Sequence, residues 1–141
     1  MQITRIFHSG FLVETAKRYF IFDYYKGELP KLNPDKPVYV FASHGHQDHY
    51  EPKVFELLKQ QGIVPKLAIL AKDIKEKKYP DVIPVLKAGF HAHYEIEADF
   101  LVDTFHSTDA GVAYLVTCGE GKIYHAGDLH DWVFDLSLIH I

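Results

Sequence analysis

With one cysteine, Cys118, in 141 residues, the chain cannot form an internal disulfide. That thiol sits in the apolar run 112–118 and reads as an inert core residue, which fits a reducing compartment. No apolar run approaches the length of a membrane span, and the first residues lack a signal-peptide pattern. A soluble, cytoplasmic protein is the expectation. There is no excess of positive charge: the formal net charge is −4, so no general attraction to nucleic acid or anionic membrane follows. Internal repeats, low-complexity tracts and domain linkers are also missing, so one domain over residues 1–135 is expected. What is present is a hydrophobic content of 48% and an aromatic content of 14%, enough for a real core.

Histidine is plentiful, at 10 residues. Three of them fall in Ser43-His44-Gly45-His46-Gln47-Asp48-His49. Imidazole and carboxylate are the side chains that bind Zn²⁺, Fe or Mn without a thiolate. His44 and His46 are two apart and point to one side of an extended segment. Asp48 and His49 are adjacent and reach a second point in a tight turn. One loop can therefore serve two ions roughly 3.5–4 Å apart that share an activated water. The setting matters too. Residues 38–42 are apolar and β-prone, and Pro52 opens a helical run to Gln60. A polar cluster between a buried strand and a helix is where α/β proteins keep their sites.

Around this centre the pattern predicts three short strands at 3–7, 11–14 and 19–22, forming an antiparallel meander. A loop over 24–36 follows, broken by Gly27, Pro30 and Pro34. After the helix come a strand at 66–70, a charged turn or short helix at 72–78, and a strand at 82–86. Strands at 93–97, 100–105, 112–118 and 122–125 close the pattern, the last two joined by a turn at 119–121. Strand-rich with inserted helices, the chain suits sheets layered as a sandwich and covered by helices.

Two strand ends offer further ligands. His106 follows the strand at 100–105 and could complete a trio with His44 and His46. Asp128 follows Gly127, and a carboxylate there can bridge two ions. The closing Leu136-Ser137-Leu138-Ile139-His140-Ile141 is what CTG TCT CTT ATA CAC ATC encodes, which resembles a transposon mosaic-end adapter. Residues 136–141 are therefore expected to be a non-native tail, and His140 is given no role.

Together these residues resemble the metallo-β-lactamase-fold superfamily of metallohydrolases, in its lactonase-like branch. The likeness rests on His44, His46, Asp48, His49, His106 and Gly127-Asp128. It extends to the early stretch His8-Ser9-Gly10-Phe11 through Phe22-Asp23. The resemblance implies an α+β fold, an αβ/βα sandwich that is incomplete at its C-terminus, since a further family His ligand has no match after Asp128. His130 lies too close in sequence to serve. It implies His44, His46 and His106 on one ion, with Asp48, His49 and a bridging Asp128 on the other. The cofactors implied are two divalent ions, Zn²⁺ ahead of Mn²⁺ or Fe. Asp48 would also orient the attacking hydroxide, the catalytic role. Asp23, Ser43 and Asp109 are candidates to orient the ligands from behind, and in this superfamily the early hairpin ends in an Asp that buttresses the metal loop.

The remaining histidines take blander readings. His91 and His93 flank a turn with no carboxylate nearby and read as turn and strand residues. His8 and His125 could lie near the site, and Trp132, Tyr24 and Tyr25 could line a cleft. The expected activity is hydrolysis of a small ester, lactone or phosphorylated metabolite. The expected partner is thus a small-molecule substrate, with no nucleic acid and no membrane. The alternatives are a nucleic-acid phosphodiesterase of the same fold, or an inactive metal-binding fragment.

Overall fold

The computed structural model describes residues 1–7, 10–107 and 111–127. Two sheets face each other. The first runs β1 (Gln2–Phe7), β2 (Gly10–Glu14), β3 (Tyr19–Phe22), β4 (Val38–Ala42), β5 (Leu67–Ala71) and β6 (Val85–Ala88), in that order. Its first three strands are antiparallel and its last four, β3 to β6, are parallel. The second sheet is antiparallel throughout, in the order β10 (Gly121–His125), β9 (Val112–Cys118), β8 (Phe100–His106), β7 (His93–Glu97).

Every residue of β3 and β4 is buried, as befits parallel strands covered on both faces. Phe20, Phe22, Tyr39 and Phe41 face the second sheet. Phe20 packs on Phe100 with ring centroids 5.1 Å apart, and Phe41 packs edge-on to Tyr114 at 5.2 Å. The opposite face, with Ile21, Val38 and Val40, packs on α1 (Lys53–Gln60). Val54 and Leu58 lie four apart, so both fall on the buried side of that helix. Truncating a fully buried Leu such as Leu58 to Ala costs about 2–5 kcal/mol. A backbone N–H from Gly62, at φ +76°, closes the helix onto Lys59 O.

The strand expected at 82–86 forms three residues later in the chain, at Val85–Ala88. Val82 is 95% exposed with a positive φ of 56°, which no regular strand tolerates. Pro84 has no N–H to give the ladder; its carbonyl accepts from Ala68 N–H instead, and pairing starts after it. Residues 72–78 yield only a 3₁₀ turn, Glu76–Lys78.

The ends of β3 tie the sheets together. At its start, the Arg18 guanidinium donates to Asp99 Oδ1 at 2.6 Å and to Glu97 Oε1 at 3.2 Å. At its finish lies Asp23, fully buried. The chain leaves β4 beside it, and Ser43 O accepts the Val112 N–H of β9 at 2.7 Å. Val112 is in turn the register partner of His106. The ends of β3, β4, β8 and β10 thus share one edge of the sandwich.

Candidate metal centre

Asp23 organises this edge. The residue takes a positive φ of 50°, which swings the chain off β3 and leaves its carboxylate under the β4 loop. One oxygen accepts the Ser43 N–H at 2.7 Å and the other accepts the Ser43 hydroxyl at 2.5 Å. His49 Nδ1 and His125 Nε2 each lie 3.0 Å from that second oxygen. Burial pushes this carboxyl up, but the imidazoles of His125 and His49 act against it and hold it well below the ordinary carboxylate range. An ionised carboxylate only accepts, so both imidazole nitrogens must donate to it. When uncharged, the His49 ring held this way carries its lone pair on Nε2, on the side of Asp48, whose Oδ2 is 3.6 Å away.

His44 presents a different feature. It is 2% exposed, and its Nε2 is buried with no hydrogen-bond partner among the described residues. Leaving such an atom unpaired costs about 1–3 kcal/mol unless a ligand meets it. Nδ1 on the same ring has the His46 N–H at 3.3 Å and Asp73 Oδ2 at 3.5 Å. The His44 ring centroid lies 4.0 Å from that of His46 and 5.6 Å from that of His49. The loop is held in this shape from inside. His46 O accepts from both His49 N–H and Tyr50 N–H at 2.9 Å. The Tyr114 hydroxyl donates to Ala42 O at 2.8 Å, pinning β9 beneath the loop.

Three imidazoles and a carboxylate thus lie on one turn, with two rings buried, while His46 and Asp48 face solvent. Among the described residues no three His, Cys, Asp or Glu side chains converge tightly enough to hold an ion by themselves. His106 lies at the exposed end of β8, with its ring edge-on to Phe90 at 4.7 Å. The trio with His44 and His46 is therefore not closed in this arrangement. Asp128, Asp109, His8, His130, Trp132 and the stretch 136–141 lie outside the described residues. Gly127 is described: a Cβ there would come within 2.9 Å of the Ser43 side chain, so only glycine lets the chain pass this close.

Two contacts join residues that no local pattern connects. Asp73 accepts the Gly45 N–H at 3.0 Å, 28 residues away in the chain. Its only signal was an acidic residue just past a strand end. His93, read as having no carboxylate nearby, is paired through Nδ1 to Asp103 at 2.6 Å. The β7–β8 register sets them opposite each other, ten positions apart in sequence. His91 does sit in a turn, with a positive φ of 51°. Both lie outside the histidine loop.

Known proteins resemble the chain over most of its length. The family model described as "Beta-lactamase superfamily domain" matches residues 2–139. A UPF0173 metal-dependent hydrolase of Pyrobaculum arsenaticum is 26% identical over 140 residues, covering 91% of this chain and 61% of the relative. Another, from Korarchaeum cryptofilum, is 26% identical over 153 residues, covering 99% and 64%. Among solved structures, Igni18, a metallo hydrolase from Ignicoccus hospitalis, superposes with a TM-score of 0.64 at 18% identity, covering 92% of this chain and 62% of that one. The chain spans about three fifths of the length of these relatives.

Proposed function

The chain belongs to the beta-lactamase superfamily domain family, and from that premise we propose that it is the site-bearing part of a metal-dependent hydrolase acting on a small ester, lactone or phosphorylated metabolite. The observation that carries this is the buried Nε2 of His44, unpartnered among the described residues, beside a His49 ring whose tautomer Asp23 dictates. Nitrogen and oxygen donors without thiolate suit Zn²⁺, with Mn²⁺ or Fe as alternatives. His44, His46 and His106 would hold one ion, and Asp48, His49 and Asp128 the other. When bound, such ions supply Lewis acidity that brings the pKa of water toward neutrality.

The protein's own groups do the rest. Asp23 keeps His49 in the Nδ1–H form, with Nε2 ready to ligate. Ser43 ties the start of the loop to the same carboxylate. Asp48, exposed at the loop's tip, can accept a proton from the attacking water and aim it. Water then adds to the carbonyl or phosphorus centre. The bond to the leaving oxygen breaks, and that oxygen departs as an alcohol once protonated.

Metal analysis combined with a substrate screen tests this reading. Zinc-loaded protein is expected to hold about one to two ions per chain and to turn over a lactone, an aryl ester or p-nitrophenyl phosphate. Turnover of bis-p-nitrophenyl phosphate alone would favour the nucleic-acid phosphodiesterase instead. Fewer than about one ion per chain and no turnover would leave a metal-binding fragment. His46→Ala is expected to abolish turnover with little loss of stability, since the side chain is exposed.

A further inference from the structure

Next to the histidine loop lies a concavity of about 230 Å³, walled by Gly45 and His46 on one side and by Asp73, Lys75, Lys77 and Lys78 on the other. The local sequence builds it. After β5 the chain turns on buried Ile74, whose N–H donates to Ala71 O at 3.0 Å, and then winds the 3₁₀ turn Glu76–Lys78. Asp73 Oδ2 holds the Gly45 N–H at 3.0 Å, and the Tyr50 hydroxyl donates to Lys78 O at 2.5 Å. The lysine segment is thus fastened to both ends of the loop.

The charge of this lining is opposite in sign to that of the whole chain. Among the described residues, Lys75, Lys77 and Lys78 make no ion pair. With three lysines against Asp73 alone, the lining is formally 3 − 1 = +2, in a chain of net −4. Asp73 itself is turned inward: Oδ2 serves Gly45, and Oδ1 is buried with no hydrogen-bond partner among the described residues. Unneutralised ammonium groups around a small concavity focus potential onto an anion. Lysine binds phosphate as a point charge and needs no fixed fork geometry. The volume falls below the roughly 300–1,000 Å³ of a pocket for a whole drug-sized ligand, so it suits one headgroup.

We propose that this concavity anchors the phosphate of a small phosphorylated substrate whose scissile ester or lactone bond lies over His46. The proposal rests on the hydrolase reading and narrows its substrate class. It accounts for a charged turn that the metal ligands leave unused, and it makes binding depend on ionic strength.

The test titrates inorganic phosphate into the zinc-loaded chain while amide ¹H–¹⁵N shifts are followed. Three proteins are compared: wild type, the triple variant Lys75→Gln, Lys77→Gln, Lys78→Gln, and the triple variant with Arg at the same positions. All three side chains are exposed, so the fold should survive, and each spectrum reports it. Saturable shifts at Gly45 and at 75–78 are expected, weakened about tenfold or more by Gln and retained by Arg. Affinity unchanged by the Gln substitutions would put phosphate elsewhere, at the metals for instance, and overturn the proposal; so would no saturable shift. On substrates, the ratio of kcat/KM for a phosphorylated over an unphosphorylated lactone is expected to fall about tenfold in the Gln variant, and an unchanged ratio overturns the anchoring role. Failure of every ester and lactone to react would sink the hydrolase reading, while the phosphate titration would still decide the pocket.

Discussion

Strand β3 has a buried charge at each end, and the two ends are built differently. Arg18 at the start meets two carboxylates, Asp99 and Glu97, so its charge is more than matched and its geometry closed. Asp23 at the finish meets two imidazoles and a serine, and the nearby His44 Nε2 has no hydrogen-bond partner among the described residues. Both ends clamp the first sheet to the second. Only the Asp23 end leaves polar capacity unfilled. Charge burial alone therefore does not mark a site; burial beside an unsatisfied donor set does.

The largest expected effect breaks the open end. Asp23→Ala strips two buried imidazoles and Ser43 of their common acceptor and should cost about 3–5 kcal/mol in urea denaturation. Zinc uptake, measured by elemental analysis, should fall with it. Next comes metal itself. Zinc at roughly 100 times its Kd should stabilise the chain by about 2.7 kcal/mol in thermal unfolding, and chelator should reverse this. His44→Ala should remove most of that gain; an undiminished gain would show that the ion sits elsewhere. Gly127→Ala should cost about 1–3 kcal/mol, because the new Cβ meets Ser43 at 2.9 Å and the φ of +76° is strained for alanine.

The closed end should respond more mildly and without touching metal. Arg18→Met is expected to cost roughly half the Asp23→Ala loss or less, since Asp99 and Glu97 are partly solvated and can be rehydrated. Its zinc content should stay at the wild-type value; a drop would erase the contrast between the two ends. The smallest effect is in pH. The Arg18 guanidinium, with Lys17, holds Asp99 below the ordinary carboxylate range, and Glu97 is lowered by its bond from Tyr39. A folded-state pKa below the unfolded one gives stability that is present above about pH 4 and is lost as pH falls further. Asp99→Asn should flatten that acid limb. Tyr39 acts on the alkaline side. Burial, aided by Glu97, pushes its phenol up to about 12, so its contribution holds below about pH 10 and fades as pH climbs through 12.

Both ends of β3 also show where a linear reading runs short. Strands with strong apolar runs, such as β4 and β9, were legible because burial on both faces leaves little else for such residues to be. β6 was displaced because Val82 is apolar in type yet 95% exposed at a positive φ, and periodicity cannot see a backbone dihedral. The carboxylate of His93 is invisible to local spacing because Asp103 arrives across a strand register. The support that Asp73 gives Gly45 is hidden for the same reason: its partner is distant in sequence and adjacent only in space.

The chain's own order of residues settled the donor types, their spacing on one turn after a buried strand, and hence the chemistry available, because ligand identity and local spacing are short-range properties. Only the folded structure decided which carboxylate dictates the tautomer of His49, that His44 Nε2 is buried without a partner among the described residues, and that three lysines stand beside the loop. Those facts depend on strand order and register, which bring distant segments to one sheet edge, and no local pattern encodes them.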